Sequence, residues 1–318
     1  MIDRDPSEIL IFAGSGSREL TRRICEHLNV EPGKSEVLHF SEGNLFVRVL
    51  ENVRGRHVYI VQSTVFPTND HFMELLFWID AFKRASAETV TVVIPYFSYA
   101  KGDKKDEPRV SIRARVCADC IEVAGADRVV TIDLHAAQIQ GFFRVPLDDL
   151  RALPVLCDAV LHHKPDDLVV VSPDAGFVKD ARRYASYLGA SLAIANKERK
   201  KHDEQAQVLE IIGDVKGLTA LIVDDFTISG GTLIQAAERL LAEGAKRVFA
   251  LVTHGVFAEG SMEKIEASPI ERLFVTDSIE TQPSKLSQKI ELVSVAPLLA
   301  EAIHRIDKKE SISVLFPR

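Results

Sequence analysis

Several absences narrow the chain before any motif is considered. It has no full Walker-type Gly-x-x-x-x-Gly-Lys-Ser/Thr motif: Gly33-Lys34-Ser35 lacks the earlier glycine. No segment reaches about 18 uninterrupted apolar residues, so no membrane-spanning helix is expected. The start, Met1-Ile-Asp-Arg-Asp-Pro6, is acidic and lacks a signal-type apolar run. Net charge is −7, which gives the chain as a whole no case for nucleic acid or an anionic membrane. Cysteine is sparse: Cys25, Cys117, Cys120 and Cys157. Cys117-Ala-Asp-Cys120 has the spacing of a metal or redox pair. It falls in a helical pattern, however, with no second pair or nearby His to complete a site. Ordinary reduced core thiols in a soluble, cytoplasmic protein are the expectation. What is present suits two domains of ordinary size: 318 residues, 46% of them apolar.

The most informative stretch is Leu221-Ile-Val-Asp-Asp-Phe-Thr-Ile-Ser-Gly-Gly-Thr-Leu233. An apolar run from Leu218 to Val223 reads as a buried strand. Asp224 and Asp225 follow at its end, then the small-residue turn Ser229-Gly-Gly-Thr232. Leu233, Ala237, Leu240 and Leu241 put one apolar face on a helix that Gly244 stops. Glycines let several amides converge, and a helix start adds partial positive charge. That combination grips a phosphate. The two carboxylates can accept from sugar hydroxyls or hold a hydrated Mg²⁺.

Other strands are expected at Ile9–Phe12, from Val37, at His57–Val61, Thr89–Ile94, Arg128–Ile132, Asp167–Val171, Ser191–Ala195, Arg247–Val252, Arg272–Val275 and Glu291–Val295. Helices are expected at Arg18–Leu28, Phe72–Ala85, Ser111–Ala124, Lys179–Leu188 and Ala296–Ile306. This alternation predicts an α/β fold with largely parallel sheets flanked by helices. Lys101 to Pro108 reads as a charged loop, and Lys197 to Gln207 as a long basic loop of the kind that closes over a phosphate site.

Five segments carry a family resemblance. They are Val93-Ile-Pro-Tyr-Phe-Ser-Tyr-Ala100, Asp133-Leu-His-Ala-Ala-Gln-Ile-Gln-Gly-Phe-Phe143, Ser172-Pro-Asp-Ala-Gly176, Asn196-Lys-Glu-Arg-Lys-Lys201 and the Asp224–Thr232 turn. Together they resemble the ribose-phosphate diphosphokinases over nearly the whole chain. The resemblance implies two phosphoribosyltransferase-type domains: a nucleotide-side domain over residues 1–152 and a ribose 5-phosphate-side domain over 153–300. A tail from 301 to 318 is expected to pack back on the first domain. It implies transfer of the β,γ-diphosphoryl group of ATP to the 1-hydroxyl of ribose 5-phosphate, with Mg²⁺ as cofactor. It also implies a dimer-based homo-oligomer, with a hexamer as the larger form allowed.

By the same resemblance, Asp224 and Asp225 hold the ribose hydroxyls, and Ile228, Ser229, Gly230, Gly231 and Thr232 grip the 5-phosphate. His135 and Asp174 hold Mg²⁺. Lys197 and Arg199 stabilise the transferring group as the catalytic cations. Phe40, Glu42, Asn44, Lys101, Gly102 and His135 serve the nucleotide, the turn at residues 40–44 reaching toward a neighbouring subunit. Three positions depart from the family pattern. Ile228 replaces a third Asp of the phosphate turn, Asn44 replaces a Glu, and Lys101-Gly102 replaces an Arg-Gln pair. These departures motivate alternatives: an altered donor, a larger ribose acceptor, or a regulatory paralogue. Retention of His135, Asp174, Asp224, Asp225, Lys197 and Arg199 argues against the last.

Overall fold

The computed structural model describes residues 9–199 and 207–316. The chain divides into two compact units, each described by itself. One holds the chain up to Arg151, Ser278–Glu280 and the stretch from Val295 onward. The other holds Ala152–Asp277 and Thr281–Ser294.

In the first unit the elements run β1 (Leu10–Ala13), α1 (Arg18–Leu28), β2 (Ser35–His39), β3 (Leu45–Val49), β4 (His57–Val61), α2 (Thr68–Arg84), β5 (Thr89–Ile94), α3 (Arg113–Ala124), β6 (Arg128–Ile132) and β7 (Leu147–Leu150). Five strands form a parallel sheet in the order β1-β4-β5-β6-β7. Runs such as Thr-Val-Thr-Val-Val-Ile of β5 are buried almost throughout, as strands covered on both faces must be. On one face Phe12, Trp78 and Phe82 pack as a ring cluster, with Phe12 and Phe82 centroids 4.7 Å apart and Trp78 and Phe82 stacked at 5.6 Å. β2 and β3 form a separate antiparallel hairpin that packs against α2.

The second unit runs α4 (Leu153–His162), β8 (Leu168–Ser172), α5 (Val178–Leu188), β9 (Ser191–Arg199), β10 (Gln207–Ile212), β11 (Thr219–Thr227), α6 (Gly231–Ala242), β12 (Arg247–Gly255), α7 (Ser261–Ala267), β13 (Arg272–Thr276) and β14 (Ile290–Val293). Its seven-stranded sheet has the order β10-β9-β8-β11-β12-β13-β14, parallel except for the β9–β10 pair. Strand order reverses between β8 and β11. In open α/β sheets such a reversal opens a crevice at the carboxyl ends of the strands.

Three expectations need correction. The tail does not begin at 301: α8 (Ala296–Asp307) belongs whole to the first unit and packs against α1. Its apolar face, with Leu299, Ala300 and Ile303 buried, needs that cover. The stretch from Lys197 is not loop at its ends. β9 runs on through Lys197 to Arg199 and pairs antiparallel with β10, Lys197 opposite Leu209. The aliphatic run Val208-Leu-Glu-Ile-Ile212 supplies the partner strand that the charges obscured. Residues 200–206 of the expected lid lie outside the described residues. Finally, β11 does not stop at Val223. It continues to Thr227 because β12 is equally long, Phe226 pairing with His254 and Thr227 with Gly255.

Candidate active site

The long β11 sets the geometry of the second unit's sheet edge. Its pairing with β8 ends at Ile222 and Val171, while its pairing with β12 continues five residues further, to Thr227. The last residues of β11 therefore border the crevice left where β8 turns away. Asp224 and Asp225 lie on this overhang, both half-buried. The Asp225 amide donates to Asp224 Oδ1 at 3.0 Å, and the Phe226 amide to Asp225 Oδ1 at 2.9 Å. Across the crevice, Asp174 follows β8 in the turn Ser172-Pro-Asp-Ala-Gly176. Its Oδ1 accepts from the amides of Gly176 at 2.8 Å and Phe177 at 3.0 Å, and Ser172 Oγ donates to its carbonyl at 2.8 Å. This Asx-type turn starts α5 and keeps the Asp174 carboxylate exposed at the edge.

The other two carboxylates act on Asp224. Burial pushes the Asp224 carboxyl up from 3.8 to about 8, and the neighbouring Asp225 and then Asp174 add to the rise. A site that resists its own charge this way suits hydroxyl donors or a cation. Among the described residues no group of three or more His, Cys, Asp or Glu forms a complete metal cluster.

Past the acid pair the backbone curls into α6. Gly230 sits in the left-handed region at φ 77°, and a Cβ there would come within 3.3 Å of Ile265. The turn is braced from beneath. The carbonyls of Thr227 and Ile228 accept from the amides of Val256 and Ala258 at 2.9 and 2.8 Å. Ser229 Oγ accepts from the Gly231 amide at 3.3 Å. The first amides of α6 have no acceptor within the helix, as at every helix start, and Ile228, Ser229 and Thr232 face solvent. Ile228 is 40% exposed.

In the first unit the candidate residues fall into two groups. Lys101 and Gly102 end a 3₁₀ turn, Ser98–Gly102, that follows β5. His135 follows the adjacent β6 and is exposed. Gln138 Nε2 donates to the buried Asp103 at 2.6 Å and ties the two loops together. Asp133 takes a left-handed φ of 43°, a costly conformation for a residue with a Cβ. It is held by its amide bond to the Leu150 carbonyl at 2.9 Å and by Arg151 at 3.4 Å. Asp149 Oδ1 accepts from the Leu134 amide at 2.9 Å. The turn presenting His135 is thus pinned by β7 and the residue after it. Phe40, Glu42 and Asn44 form the second group, at the tip of the β2–β3 hairpin. That tip is closed by the Phe40 amide on the Asn44 carbonyl at 2.8 Å. Residues 38–44 are all exposed, so the structure does not pack this tip onto the His135 edge. Lys197 and Arg199 are placed only as positions on β9.

Residues 9–125 match the model for the N-terminal domain of ribose phosphate pyrophosphokinase, and 204–317 match the phosphoribosyl synthetase-associated domain. The chain is 47% identical over 308 residues to a ribose-phosphate pyrophosphokinase of Rhizobium meliloti, covering 96% of this chain and 99% of the relative. It is 48% identical over 314 residues to that of Caldanaerobacter subterraneus, covering 98% and 99%. The chain belongs to the ribose-phosphate pyrophosphokinase family. The crystal structure of phosphoribosylpyrophosphate synthetase from Mycobacterium smegmatis superposes with a TM-score of 0.90 at 37% identity, over 95% of this chain and 99% of that one. The pyrophosphokinase fold therefore extends over both units. No described helix is long and apolar enough to cross a membrane. Sequence reasoning missed the pinning residues Asp149 and Arg151. The one signal for them was Asp-Asp-Leu-Arg151 directly before the second unit.

Proposed function

We propose that this chain transfers the β,γ-diphosphoryl group of ATP to the 1-hydroxyl of ribose 5-phosphate, yielding phosphoribosyl diphosphate and AMP. The observation that carries the reading is the carboxyl edge of the second unit. An acid pair for vicinal hydroxyls and an open, braced helix start for a phosphate lie within nine residues of one strand–helix junction, Asp224 to Thr232. Asp224 and Asp225 accept hydrogen bonds from the 2- and 3-hydroxyls. The amides and hydroxyls of residues 228–232 hold the 5-phosphate. The sugar is thereby fixed at both ends, which orients its 1-hydroxyl and lowers the entropic part of the barrier.

In the first unit, Lys101 and His135 serve the nucleotide's phosphates, and Phe40, Glu42 and Asn44 its base. His135 in the first unit and Asp174 in the second are, each by itself, candidate ligands for Mg²⁺. The donor set fits that ion, which takes one or two protein groups and completes its shell with phosphate oxygens and water. When bound, Mg²⁺ neutralises and orients phosphate oxygens. Lys197 and Arg199 stabilise charge on the transferring group, an effect realised in the transition state. A cytoplasmic homo-oligomer built from dimers completes the reading, with the exposed hairpin tip directed to a neighbouring subunit.

The direct check is AMP formation from Mg–ATP and ribose 5-phosphate, beside a Lys197→Ala variant. Phosphoribosyl diphosphate that forms with the wild type and is lost in the variant supports the assignment. A wild type inert with both substrates present overturns it. The exposed Ile228 favours one second reading, in which the acceptor is a larger ribose derivative without a free terminal phosphate. Turnover with such acceptors and none with ribose 5-phosphate would select it.

A further inference from the structure

Gly102 is buried at the end of its 3₁₀ turn, yet its backbone is not left-handed and does not require glycine. The requirement is steric. A Cβ at this position would lie 2.6 Å from Arg113 Nε and 2.8 Å from Arg113 Cβ. The side chain of Arg113 fills the volume that a side chain at 102 would take. Arg113 opens α3, where a cation opposes the helix dipole and no acidic residue of the first turn offsets it. It is exposed, and no described carboxylate is paired with it. A guanidinium at the unfavourable end of a helix, in a space cleared by a glycine, is not explained by stability. It lies against Gly102, the residue after Lys101, in the loop that Asp103 and Gln138 tie to the His135 loop.

We propose that Arg113 is a substrate-binding residue for the polyphosphate chain of the nucleoside triphosphate, reaching it across the space freed by Gly102. This rests on the reading of the first unit as the nucleotide side. The planar fork of a guanidinium suits two phosphate oxygens at once, which the point charge of Lys101 does not. The sequence pattern agrees. Lys101 stands where the family resemblance expects the guanidinium, and Gly102 where it expects a long side chain. Both features reappear in Arg113, approaching from α3.

The test compares full-length wild type with Arg113→Ala, Arg113→Lys and Gly102→Gln. Affinity is measured by calorimetry for Mg–α,β-methylene-ATP, which cannot undergo the transfer, and for AMP, which lacks the polyphosphate. Arg113→Ala is expected to weaken the triphosphate analogue by about tenfold to a hundredfold, the range for losing a charge-assisted hydrogen bond. AMP binding should stay within about twofold, the melting temperature should not fall, and Lys should rescue in part. Gly102→Gln, whose Cβ meets Arg113 Cβ at 2.8 Å as well as the guanidinium, must shift the start of α3, so it should weaken the analogue with a lower melting temperature, unlike Arg113→Ala. Unchanged analogue affinity in Arg113→Ala, or an equal loss of analogue and AMP, overturns the assignment. If the wild type makes phosphoribosyl diphosphate, such a result sinks the role of Arg113 alone. A wild type that binds no Mg–nucleoside triphosphate sinks the reading of the first unit and this proposal with it.

Discussion

Two strand–helix junctions in this chain look alike in composition and differ in what meets their amides. β1 leads through Gly14-Ser-Gly-Ser17 into α1, and β11 leads through Ser229-Gly-Gly-Thr232 into α6. Both are small, hydroxyl-rich turns before a helix, the composition of an anion site. At α1 the protein has filled that site itself. Glu74 Oε1 accepts from the Ser15 amide at 2.9 Å, Gln62 Oε1 from the Gly16 amide at 3.0 Å, and Glu280 Oε1 from the Leu20 amide at 3.0 Å. Ser17 Oγ in turn accepts from the Ser63 amide at 2.9 Å. Glu74 is fully buried and also takes the Trp78 indole N–H at 3.1 Å. At α6 the carbonyl side is braced, and among the described residues the side-chain acceptor on its first amides is the local Ser229 Oγ rather than a distant carboxylate. Local composition makes an anion site available, and distant acceptors decide whether it is used for structure or for a ligand.

The largest effect is expected from giving α6 what α1 has. Gly231 is not left-handed, and a Cβ there meets only Ser229 Oγ at 3.4 Å. Gly231→Glu should therefore fold, and gain about 0.3–1 kcal/mol from an acid in the first turn. It should also weaken ribose 5-phosphate by roughly a hundredfold, as a carboxylate competes with and repels the phosphate. Melting curves and calorimetric titration read the two effects separately.

Asp224→Asn comes next. The unfolded carboxyl ionises near 3.8, whereas the folded one holds its proton to about 8. Between these values the unfolded state binds fewer protons, so wild-type stability falls as pH rises, and the penalty is complete above the upper value. Asn carries no such penalty. The variant's melting temperature should match wild type below the lower value, exceed it increasingly up to the upper value, and keep a constant gain beyond. Its kcat/KM for ribose 5-phosphate should fall about tenfold to a hundredfold. A variant less stable than wild type at pH 9 would contradict this reading of the pair.

Much of the fold was legible because its strands are continuous buried runs. His57–Val61, Thr89–Ile94 and Arg128–Ile132 are strands with the limits that alternation and burial suggest. What escaped had mixed signals. β7 is Leu-Asp-Asp-Leu, two acids between two apolar residues, and β10 lies behind a charged run. The Ser229–Thr232 turn before α6 was legible as a motif, since its glycines and hydroxyls are contiguous. That α1 carries a similar turn already satisfied was not, because its acceptors lie 59 and 260 residues away. The Arg113–Gly102 packing was hidden for a different reason: the two are near in sequence, but a charged loop between them gives no sign that it folds back.

The remaining effects test the α1 side. Glu74→Gln keeps the shape but removes the charge from a buried site that takes the Ser15 amide, the Trp78 indole N–H and Gln62 Nε2. It should cost about 1–3 kcal/mol, which lowers the melting temperature by roughly 2–4 °C per kcal/mol. Ribose 5-phosphate affinity should not change. Glu280→Gln removes one charge from a half-buried contact and should cost about 0.5–1.5 kcal/mol, the smallest effect of the series.

One measurement tests the contrast most directly: amide chemical shifts of labelled protein titrated with ribose 5-phosphate. The amides of Ser229, Gly230, Gly231 and Thr232 should move and saturate together, while those of Ser15, Gly16 and Leu20 stay in place. Saturating shifts at Ser15 and Gly16, or none at residues 229–232, would contradict the assignment of α6 as the open phosphate site.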